Sequence, residues 1–501
     1  MASENHLIDA LRAASIDRAK DVFAHLPGSE AVQFGSLFSG AERMAAALVA
    51  SGVVPGDRVA AQVPKTIEAI ELYLGTVMAG AVFLPLNTAY TEAEVGYFVS
   101  DATPSVFVCD PDMRMAIEGI AGNATVLTLG ADGQGSLRSL ADRQPGFAAV
   151  ARDADDLAAI LYTSGTTGRS KGAMLSHGNL VSNSRTLREA WAFTDEDVLI
   201  HALPIFHTHG LFVATNVALL AGAQIVFLPG FEVDAILEVM PRSTAMMGVP
   251  TFYTRLLADP RLDRDRAARM RLFISGSAPL LVDTHQQWEQ RTGHRILERY
   301  GMTETNMNTS NPYDGERRAG TVGVPLPGVE TRIMADGSRV ARGEIGVLEV
   351  RGPNVFQGYW KMPKKTAEEL RPDGWFVTGD MAREDADGYI SIVGRSKDLV
   401  ITGGFNVYPK EVEAVIDDLP GVLESAVIGV PHTDFGEAVV AVVVPLDDGL
   451  REKAIGDAIA PRLAKFKRPK RLILIDALPR NTMGKVQKNV LRETYAGLFE
   501  E

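Results

Sequence analysis

The segment TSGTTGRSKG at residues 163–172 combines glycines and hydroxyl side chains with two basic residues, directly after the apolar run LAAILY. Glycines let a backbone approach an anion closely, hydroxyls donate hydrogen bonds, and Arg169 and Lys171 add positive charge. These properties predict a phosphate-binding loop, with a solvent-exposed turn as the alternative. The segment lacks the spacing between the first glycine and a final Gly-Lys-Ser/Thr that defines a Walker A loop, so a P-loop NTPase is disfavoured.

A second group of chemically active side chains is the histidine cluster of HALPIFHTHG, with His201, His207 and His209. Imidazoles at such close spacing suggest zinc. Zinc sites commonly add a cysteine or a carboxylate at a characteristic spacing, and none accompanies these histidines. We therefore expect no metal at the cluster.

Four further segments combine glycine with hydroxyl, acidic or basic residues: YGMTET (300–305), GWFVTGD (374–380), GRSKDLVITGGFNVYPKEVE (394–413) and PRNTMGKVQK (479–488). Together with YTSGTTGRSKGAMLSH, their order resembles the motif series of the adenylate-forming superfamily. That superfamily includes acyl-CoA synthetases, firefly luciferases and peptide-synthetase adenylation domains. The resemblance covers nearly the whole chain, and five motifs in one order are far more specific than any one of them.

The resemblance implies a reaction in two halves. A carboxylate attacks the α-phosphate of ATP, which gives an acyl-adenylate and pyrophosphate. The thiol of CoA then attacks the acyl-adenylate, and AMP leaves. Because the first half brings two anions together, it needs cations and Mg²⁺ to offset their repulsion.

The resemblance also assigns roles to matched residues. The loop that would hold the outer phosphates of ATP contains Thr163, Ser164, Gly165, Thr166, Thr167, Gly168 and Lys171. The adenine and the α-phosphate would contact Gly276, Ser277, Ala278, Pro279, Tyr300, Gly301, Met302 and Thr303. Asp380 would accept hydrogen bonds from the ribose hydroxyls, and Arg395 would reach the ribose or the phosphates.

The residues expected to act on the reacting groups are Lys485, Thr303, Glu304 and His207. Lys485 would bridge the substrate carboxylate and the α-phosphate, and Glu304 would bind Mg²⁺ because that ion favours carboxylates and phosphates. His207 would be an aromatic gate of the carboxylate channel. Taken singly, Glu304 could equally be a charge at a helix start.

The resemblance further implies a rotation of the C-terminal part after adenylation, an instance of domain closure. Lys397 lies at the family's hinge position, and Gly403, Gly404 and Phe405 would line the tunnel for the CoA thiol. PRNTMGK also resembles the context of a lysine that is acetylated in some acyl-CoA synthetases, so a lysine acetyltransferase and a deacetylase are expected partners.

The identity of the acid depends on Arg255 and Arg299, which lie in segments that border the acyl pocket in this superfamily. An arginine facing a small apolar pocket is costly to desolvate unless the substrate brings a second carboxylate. The segments MGVPTFYTR, LFISGSAPL and ERYGMTETNMNTSNPYDGERRAGTVGVPLPGV closely resemble malonyl-CoA synthetases. We therefore expect malonate as the acid, with His209 and Ser277 completing the acyl site.

Several alternatives stay open at this point. Arg255 could face solvent or pair with Asp259, and Arg299 could pair with Glu298 or with a carboxylate of a neighbouring strand. The acid could be methylmalonate or another short-chain acid, since one methyl group changes binding by only about 1–3 kcal/mol. The chain could also load a carrier protein, or bind nucleotide without catalysis.

The elements that must position these residues follow from hydrophobic patterning. With 501 residues the chain exceeds one hydrophobic core. Apolar runs such as DRVAAQVP, AVFLPLN and AQIVFLP alternate with helix-like segments, which is typical of parallel sheets covered by helices. Later, short strands alternate with turns such as ADG and DADGY, which indicates an antiparallel β region.

These patterns predict an α/β protein with two domains. The patterns place the boundary near Arg395, between residues 1–395 and a small α+β unit of residues 396–501. The resemblance implies that the large N-terminal part is the adenylate-forming domain with the ATP and acyl sites, and that the small domain is mobile and carries the catalytic lysine.

Composition excludes several classes of function. A net charge of −13 argues against a general nucleic-acid binder, and the absence of long apolar runs argues against a membrane partner. The single cysteine, Cys109, excludes an internal disulfide framework. The first residues lack the apolar core of a signal peptide, so we expect a cytoplasmic location.

Overall fold

The computed structural model describes residues 5–28, 30–163, 170–402, 405–432, 435–447, 449–481 and 484–499. The α-helices are α1 (His6–Arg12), α2 (Phe34–Ala50), α3 (Ile67–Met78), α4 (Glu92–Ala102), α5 (Arg114–Ile120), α6 (Ser136–Ala141), α7 (His177–Ala190), α8 (Asn216–Ala221), α9 (Val233–Val239), α10 (Pro250–Leu257), α11 (Val282–Thr292), α12 (Pro363–Glu369), α13 (Pro409–Asp417), α14 (Glu452–Ile459) and α15 (Lys488–Thr494). A π-helix spans His209–Thr215.

The strands of the first half are β1 (Val22–His25), β2 (Val32–Gln33), β3 (Arg58–Gln62), β4 (Val82–Pro85), β5 (Val106–Cys109), β6 (Thr125–Thr128), β7 (Leu157–Thr163), β8 (Lys171–Ser176), β9 (Val198–His201), β10 (Gln224–Phe227) and β11 (Ala245–Gly248). Those of the second half are β12 (Leu272–Ser275), β13 (Leu297–Met302), β14 (Asn306–Ser310), β15 (Val324–Pro325), β16 (Glu330–Ala335), β17 (Ser338–Arg339), β18 (Ile345–Arg351), β19 (Phe376–Glu384), β20 (Ile390–Arg395), β21 (Val400–Thr402), β22 (Phe405–Val407), β23 (Val422–His432), β24 (Gly436–Pro445) and β25 (Arg471–Leu474).

Two largely parallel sheets form the centre of the molecule. One has the order β6-β5-β3-β4-β7-β8, and the other has the order β15-β14-β13-β12-β11-β9-β10-β1-β2. Their central strands are buried along their whole length, as in β5, β9 and β12, because helices cover both faces. This explains why these strands appear in the sequence as continuous apolar runs, and the prediction of parallel sheets covered by helices is confirmed.

The predicted antiparallel β region is the sheet β17-β16-β18-β19-β20. Asp336 and Gly337 form the two-residue turn between β16 and β17, with φ of 48° and 78°. Both residues at positive φ define a type I′ turn, whose twist matches the flanking strands. The ADG hairpin is therefore confirmed, and the DADG turn before Tyr389 likewise connects β19 to β20.

After Arg395 the chain enters a smaller α+β unit. Its sheet has the order β22-β21-β24-β23, with β25 pairing parallel to β24. The apolar side chains of this unit form two clusters of their own, drawn from residues 400–499. Helix α14 is shorter than the pattern REKAIGDAIAPRLA predicts, since it ends at Ile459, just ahead of Pro461, which lacks the N–H needed to continue it.

The topology brings several loops to one edge of the larger central sheet. Strands β9, β11, β12 and β13 are parallel, so their carboxyl ends lie together. The loops that leave this edge carry the histidine cluster, the GSAP segment and the Thr-Glu-Thr tip. This edge is where open α/β sheets bind ligands.

Within the described residues, no helix combines the length and the apolar character that crossing a membrane requires.

Candidate active site

Arg299 is the most unusual charged group at this edge. Its side chain is 3% exposed, and its Nε and one terminal nitrogen have no hydrogen-bond partner among the described residues. Burial lowers the pKa of its guanidinium to about 9, so the group is still cationic at neutral pH. It packs on Gly276, where an added Cβ would lie 2.5 Å from the Arg299 Cζ atom. The glycine of GSAP therefore makes room for the guanidinium.

Glu298, the carboxylate next to Arg299 in the chain, does not neutralise it. Consecutive residues of a strand point to opposite faces, and both lie in β13. The Glu298 carboxylate contacts His285 instead, with Oε1 3.3 Å from Nδ1. The alternative of a Glu298–Arg299 ion pair is excluded by this period-two geometry.

His209 and Ser277 lie together near Arg299, as the sequence predicts for the acyl site. The Ser277 Oγ is 3.3 Å from His209 Nδ1, and His209 Nε2 is buried without a partner in the described structure. Burial, followed by the charge of Arg299, lowers the pKa of His209 well below its ordinary value. Ser277 has a φ of 70°, a conformation that is strained for a residue with a side chain and that clusters at functional sites.

His207 is half-buried on the same loop. Burial, followed by the charges of Lys485 and Arg299, lowers its pKa to about 3, so the imidazole is neutral. The gate role stays a prediction, but the neutral ring is the form that a channel wall requires. The third histidine, His201, is buried, and its Nε2 lies 3.0 Å from the Gly210 carbonyl oxygen.

Arg255 is placed differently from the expectation of a buried guanidinium. It is exposed on α10, and its Cζ lies 5.9 Å from the centroid of the Phe231 ring. Asp259, the alternative partner, binds Arg261. The desolvation argument therefore applies to Arg299 alone, and a contact between Arg255 and the acid stays a prediction without it.

Tyr300, Asp380 and Arg395 form one hydrogen-bonded group. The Tyr300 hydroxyl donates to Asp380 Oδ2 at 2.5 Å, and Arg395 Nε lies 2.9 Å from Asp380 Oδ1. The last contact follows from register, because Asp380 and Arg395 are Cα partners between β19 and β20. A carboxylate has about four lone-pair sites. Asp380, 4% exposed, can thus orient Tyr300 and still accept from a hydroxyl-bearing ligand.

Thr303 and Glu304 lie at the tip of the β13–β14 hairpin, where Met302 pairs with Asn306. Glu304 is 5% exposed, and burial raises the pKa of its carboxyl. An added Cβ on Gly301 would lie 1.9 Å from the Asn306 carbonyl oxygen, so this hairpin requires glycine there. The two strands therefore approach closely at Gly301, and the tip carries one carboxylate, that of Glu304.

Two residues beside Glu304 escaped the sequence analysis. The Tyr359 hydroxyl lies 2.9 Å from Glu304 Oε1 and 2.5 Å from Glu369 Oε2. Lys171 Nζ donates to Tyr359 at 3.0 Å and lies 3.3 Å from Glu369. No single motif predicts this group, because its members lie in β8, the Thr-Glu-Thr tip, the segment before α12 and α12 itself.

The phosphate loop itself lies partly outside the described residues, namely Ser164, Gly165, Thr166, Thr167, Gly168 and Arg169. Its two ends are described. Thr163 and Lys171 are Cα partners between β7 and β8, and the Tyr97 hydroxyl donates to the Ser170 carbonyl at 2.8 Å. The antiparallel pair thus places Lys171, the described C-terminal end of the loop, beside Tyr359 and Glu369.

Lys485 enters the site from the small C-terminal unit. It follows Gly484, whose φ of 75° belongs to a tight turn, and Arg480 and Val486 pair across that turn. Burial, followed by the charge of Arg395, lowers the pKa of Lys485, while Asp380 and Glu304 raise it. The lysine thus lies within electrostatic reach of the groups predicted to hold ATP.

The predicted hinge and tunnel residues are described in part. Lys397 is exposed in a 3-10 turn, Ser396–Asp398, and the neighbouring Asp398 binds Arg492 of α15 at 2.7 Å. Although the residue as a whole is exposed, partial burial of its ammonium group, followed by the charge of Arg395, lowers the Lys397 pKa to about 8. Phe405 is 55% exposed and stacks on Phe466, whereas Gly403 and Gly404 lie outside the described residues.

Comparison with known families decides the membership of this chain. Residues 13–360 match the family described as AMP-binding enzyme, and residues 411–485 match the AMP-binding enzyme C-terminal domain. The chain belongs to the AMP-binding enzyme family. A malonate–CoA ligase from Arabidopsis thaliana is 37% identical over 482 residues, which cover 88% of this chain and 79% of that protein.

Solved structures add information on conformation. ATP-bound MatB from Rhodopseudomonas palustris is 58% identical, covers 99% of this chain and 100% of its own, and superposes with a TM-score of 0.97. Apo MatB from the same organism has the same identity and coverage but a TM-score of 0.86. Since the sequence is equally similar in both, this AMP-binding enzyme is closer in shape to the ATP-bound structure.

Proposed function

We propose that this AMP-binding enzyme joins malonate to CoA in an ATP-dependent, AMP-forming reaction. Arg299 carries the proposal: a buried guanidinium without a carboxylate partner in the described structure, beside His209 and Ser277. A buried unpaired cation costs several kcal/mol, and a dicarboxylate offsets that cost with the carboxylate that does not react. The similarity to a malonate–CoA ligase supports the same acid.

The nucleotide site is proposed from the groups that face Lys485. Asp380 accepts from the ribose hydroxyls, Tyr300 packs on adenine, and Lys171 exchanges Glu369 for the outer phosphates. Lys485 lies between the acid and the α-phosphate and offsets the negative charge that develops as they approach.

Mg²⁺ fits this site only together with nucleotide. Among the described residues, no group of three or more histidine, cysteine, aspartate or glutamate side chains could hold a metal by itself. Mg²⁺ is usually held by one or two carboxylates plus substrate phosphates and water. The buried carboxylate of Glu304, with Glu369 beyond the Tyr359 hydroxyl, matches that preference, and Mg²⁺ would supply further positive charge to the phosphates.

Three further assignments belong to the proposal. The domain boundary lies between residues 395 and 396, where the chain passes from β20 to the turn before β21. The small domain rotates between the half-reactions, so that Lys485 serves adenylation and the segment around Phe405 serves CoA. Lys485, at a turn on a mobile domain, is a target of a lysine acetyltransferase and a deacetylase. The cytoplasmic location stays a prediction.

The test is AMP formation with ATP, Mg²⁺ and CoA, with malonate, methylmalonate or butyrate as the acid. We expect strong turnover of malonate, lower turnover of methylmalonate and little of butyrate. Turnover of butyrate equal to that of malonate would contradict the role of Arg299 and leave a general short-chain acyl-CoA synthetase. Replacing CoA by a carrier protein tests the alternative acceptor.

A further inference from the structure

Lys65 is a partly buried lysine that joins the two central sheets. Lys65 lies between β3 of the six-stranded sheet and helix α3. Its side chain reaches the carboxyl ends of β9 and β10, which belong to the nine-stranded sheet. Its Nζ donates to the His201 carbonyl at 2.8 Å and to the Leu228 carbonyl at 2.6 Å. It also lies 4.5 Å from the centroid of the Phe227 ring. Burial lowers its pKa, but two carbonyls and a ring face stabilise the ammonium form.

The same ammonium contacts the ring of His201, which is 1% exposed. Its Nζ lies 3.2 Å from His201 Nδ1. An ammonium donates and cannot accept, so Nδ1 is the acceptor and the proton of the neutral ring is on Nε2. Burial, followed by the charge of Lys65, lowers the His201 pKa and keeps the ring neutral.

The Nε2–H of His201 points at the π-helix that carries the acyl-site histidine. Nε2 lies 3.0 Å from the Gly210 carbonyl oxygen, which also accepts from the Thr215 hydroxyl at 3.0 Å. Gly210 directly follows His209. An added Cβ on Gly210 would lie 2.0 Å from the Pro204 carbonyl oxygen, so this turn packs tightly on the loop that carries His207.

The two carbonyl contacts give Lys65 a structural role at the ends of β9 and β10, which an apolar side chain could not fill. No described carboxylate pairs with Lys65, so its remaining donor is directed at the His201 ring and not at a counter-ion. The unbroken series of contacts runs from the Lys65 ammonium through the His201 ring to the backbone beside His209. Each contact sets the orientation of the next group.

We propose that Lys65 and His201 are positioning residues that hold the segment from His207 to His209 in the geometry that binds the acid. Lys65 selects the His201 tautomer, and His201 in turn holds the Gly210 carbonyl. The inference rests on the proposed acyl site, because it assumes that this segment contacts the acid. Within the described residues, the contacts of Lys65 and His201 do not include Asp380, Tyr300 or Lys171, the residues proposed to hold ATP, so we expect ATP binding to be independent of Lys65.

The experiment is Lys65→Cys, followed by alkylation with 2-bromoethylamine, which places an ammonium on a side chain close to lysine in length. Cys109, the single cysteine of the natural sequence, is 0% exposed, and burial raises its pKa to about 11, so it does not compete. For Lys65→Cys we expect the KM for malonate to rise about tenfold or more, the scale of a lost charged hydrogen bond, with little change in the KM for ATP. Alkylation is expected to restore the KM for malonate.

Wild-type enzyme treated with 2-bromoethylamine is the control and should be unchanged. An unaltered KM for malonate in Lys65→Cys would overturn the proposal. So would equal increases in both KM values that alkylation does not reverse, with a lower Tm, because that pattern describes a structural lysine. If Lys65→Cys does not fold, Lys65→Arg keeps the charge and misplaces the donor to His201, and the same separation of KM values applies. If the wild-type enzyme prefers butyrate, the proposed acid is wrong, and the Lys65 variants are then measured with butyrate.

Discussion

At the residue scale, Arg299 combines a functional demand with a cost to stability. Its guanidinium is buried against Gly276 and has unpaired nitrogens in the described structure. A carboxylate with two oxygens matches the forked donors of arginine. Under the proposed function, the substrate neutralises this uncompensated charge, which would link binding of the acid to the specificity for a dicarboxylate.

Arg299→Met is expected to reduce kcat/KM for malonate by roughly 30-fold to several thousand-fold, the equivalent of about 2–5 kcal/mol. The free energy of unfolding should stay the same or rise, because methionine has a side chain of similar shape near the backbone but no buried unpaired charge. AMP release and urea denaturation measure the two effects. Arg143→Met, which removes an exposed guanidinium, is the control and should change neither. A parallel loss of activity and stability would assign Arg299 a structural role.

A second residue-scale prediction concerns Glu71, which is 6% exposed on α3 and binds Arg138 of α6 at 3.1 Å. Burial raises its pKa from 4.5 to about 7. Between these values the folded protein binds a proton that the unfolded chain does not, so stability falls as pH rises through this window. For Glu71→Gln we expect this contribution, roughly 3 kcal/mol at most, to disappear.

Urea denaturation of the wild type and of Glu71→Gln at pH 5, 6, 7 and 8 measures the contribution of Glu71 to stability. The difference in unfolding free energy between the two proteins should grow in favour of the variant as the pH rises. A difference that is constant over pH would show that Glu71 does not titrate in this range.

At the element scale, helices α2 and α3 pack closely enough to require glycine. An added Cβ on Gly75 would lie 2.7 Å from the Ala41 carbonyl oxygen and 2.8 Å from the Met44 Cβ. These helices cover the six-stranded sheet, in which β7 and β8 flank the phosphate loop. The close contact therefore belongs to the scaffold that holds the loop ends in place.

Gly75→Ala is expected to destabilise the fold by about 1–3 kcal/mol, because backbone atoms must move to admit the methyl group. Gly96→Ala is the matched variant on α4, where nothing lies within 4 Å of an added Cβ. It should stabilise the fold by about 0.5–1 kcal/mol through the higher helix propensity of alanine. Thermal denaturation of both proteins gives the comparison, and shifts of equal sign would contradict the packing argument.

At the scale of the whole molecule, one lysine on the small unit, Lys485, lies within electrostatic reach of the groups on the large unit that are proposed to hold ATP. The higher TM-score against the ATP-bound structure than against the apo structure indicates the arrangement that brings Lys485 to Arg395 and Asp380. A site divided between two units can be opened by rotating one of them. The contact between Asp398 and Arg492 lies at the place where that rotation would begin.

Lys485→Ala is expected to abolish formation of malonyl-adenylate and to leave thioester formation from supplied malonyl-adenylate and CoA nearly intact. The reason is that a cation between two anions stabilises only the first transition state. Pyrophosphate release and CoA consumption measure the two halves separately. Lys453→Ala on α14, an exposed lysine, should affect neither half. Equal loss in both halves would argue against rotation of the small unit.

Local patterns in the sequence determined much of this protein. Continuous apolar runs predicted β3, β4 and β10, the Asp336–Gly337 turn predicted a hairpin, and the ordered motifs predicted the family. These features depend on neighbours within a few residues, such as side-chain alternation and preferred turn dihedrals. The motif that contains Lys485, the last of the five, could also be recognised from the sequence alone.

Only the tertiary structure decided which charges meet. It placed Arg299 on the inner face of β13 and Glu298 on the other face, left Arg255 exposed, and joined Glu304 to Tyr359 and Glu369. It also brought Lys65 to His201, which are 136 residues apart in the chain. Such contacts arise from the packing of one sheet on another. A local sequence pattern contains no information on which residues far apart in the chain lie close together in space.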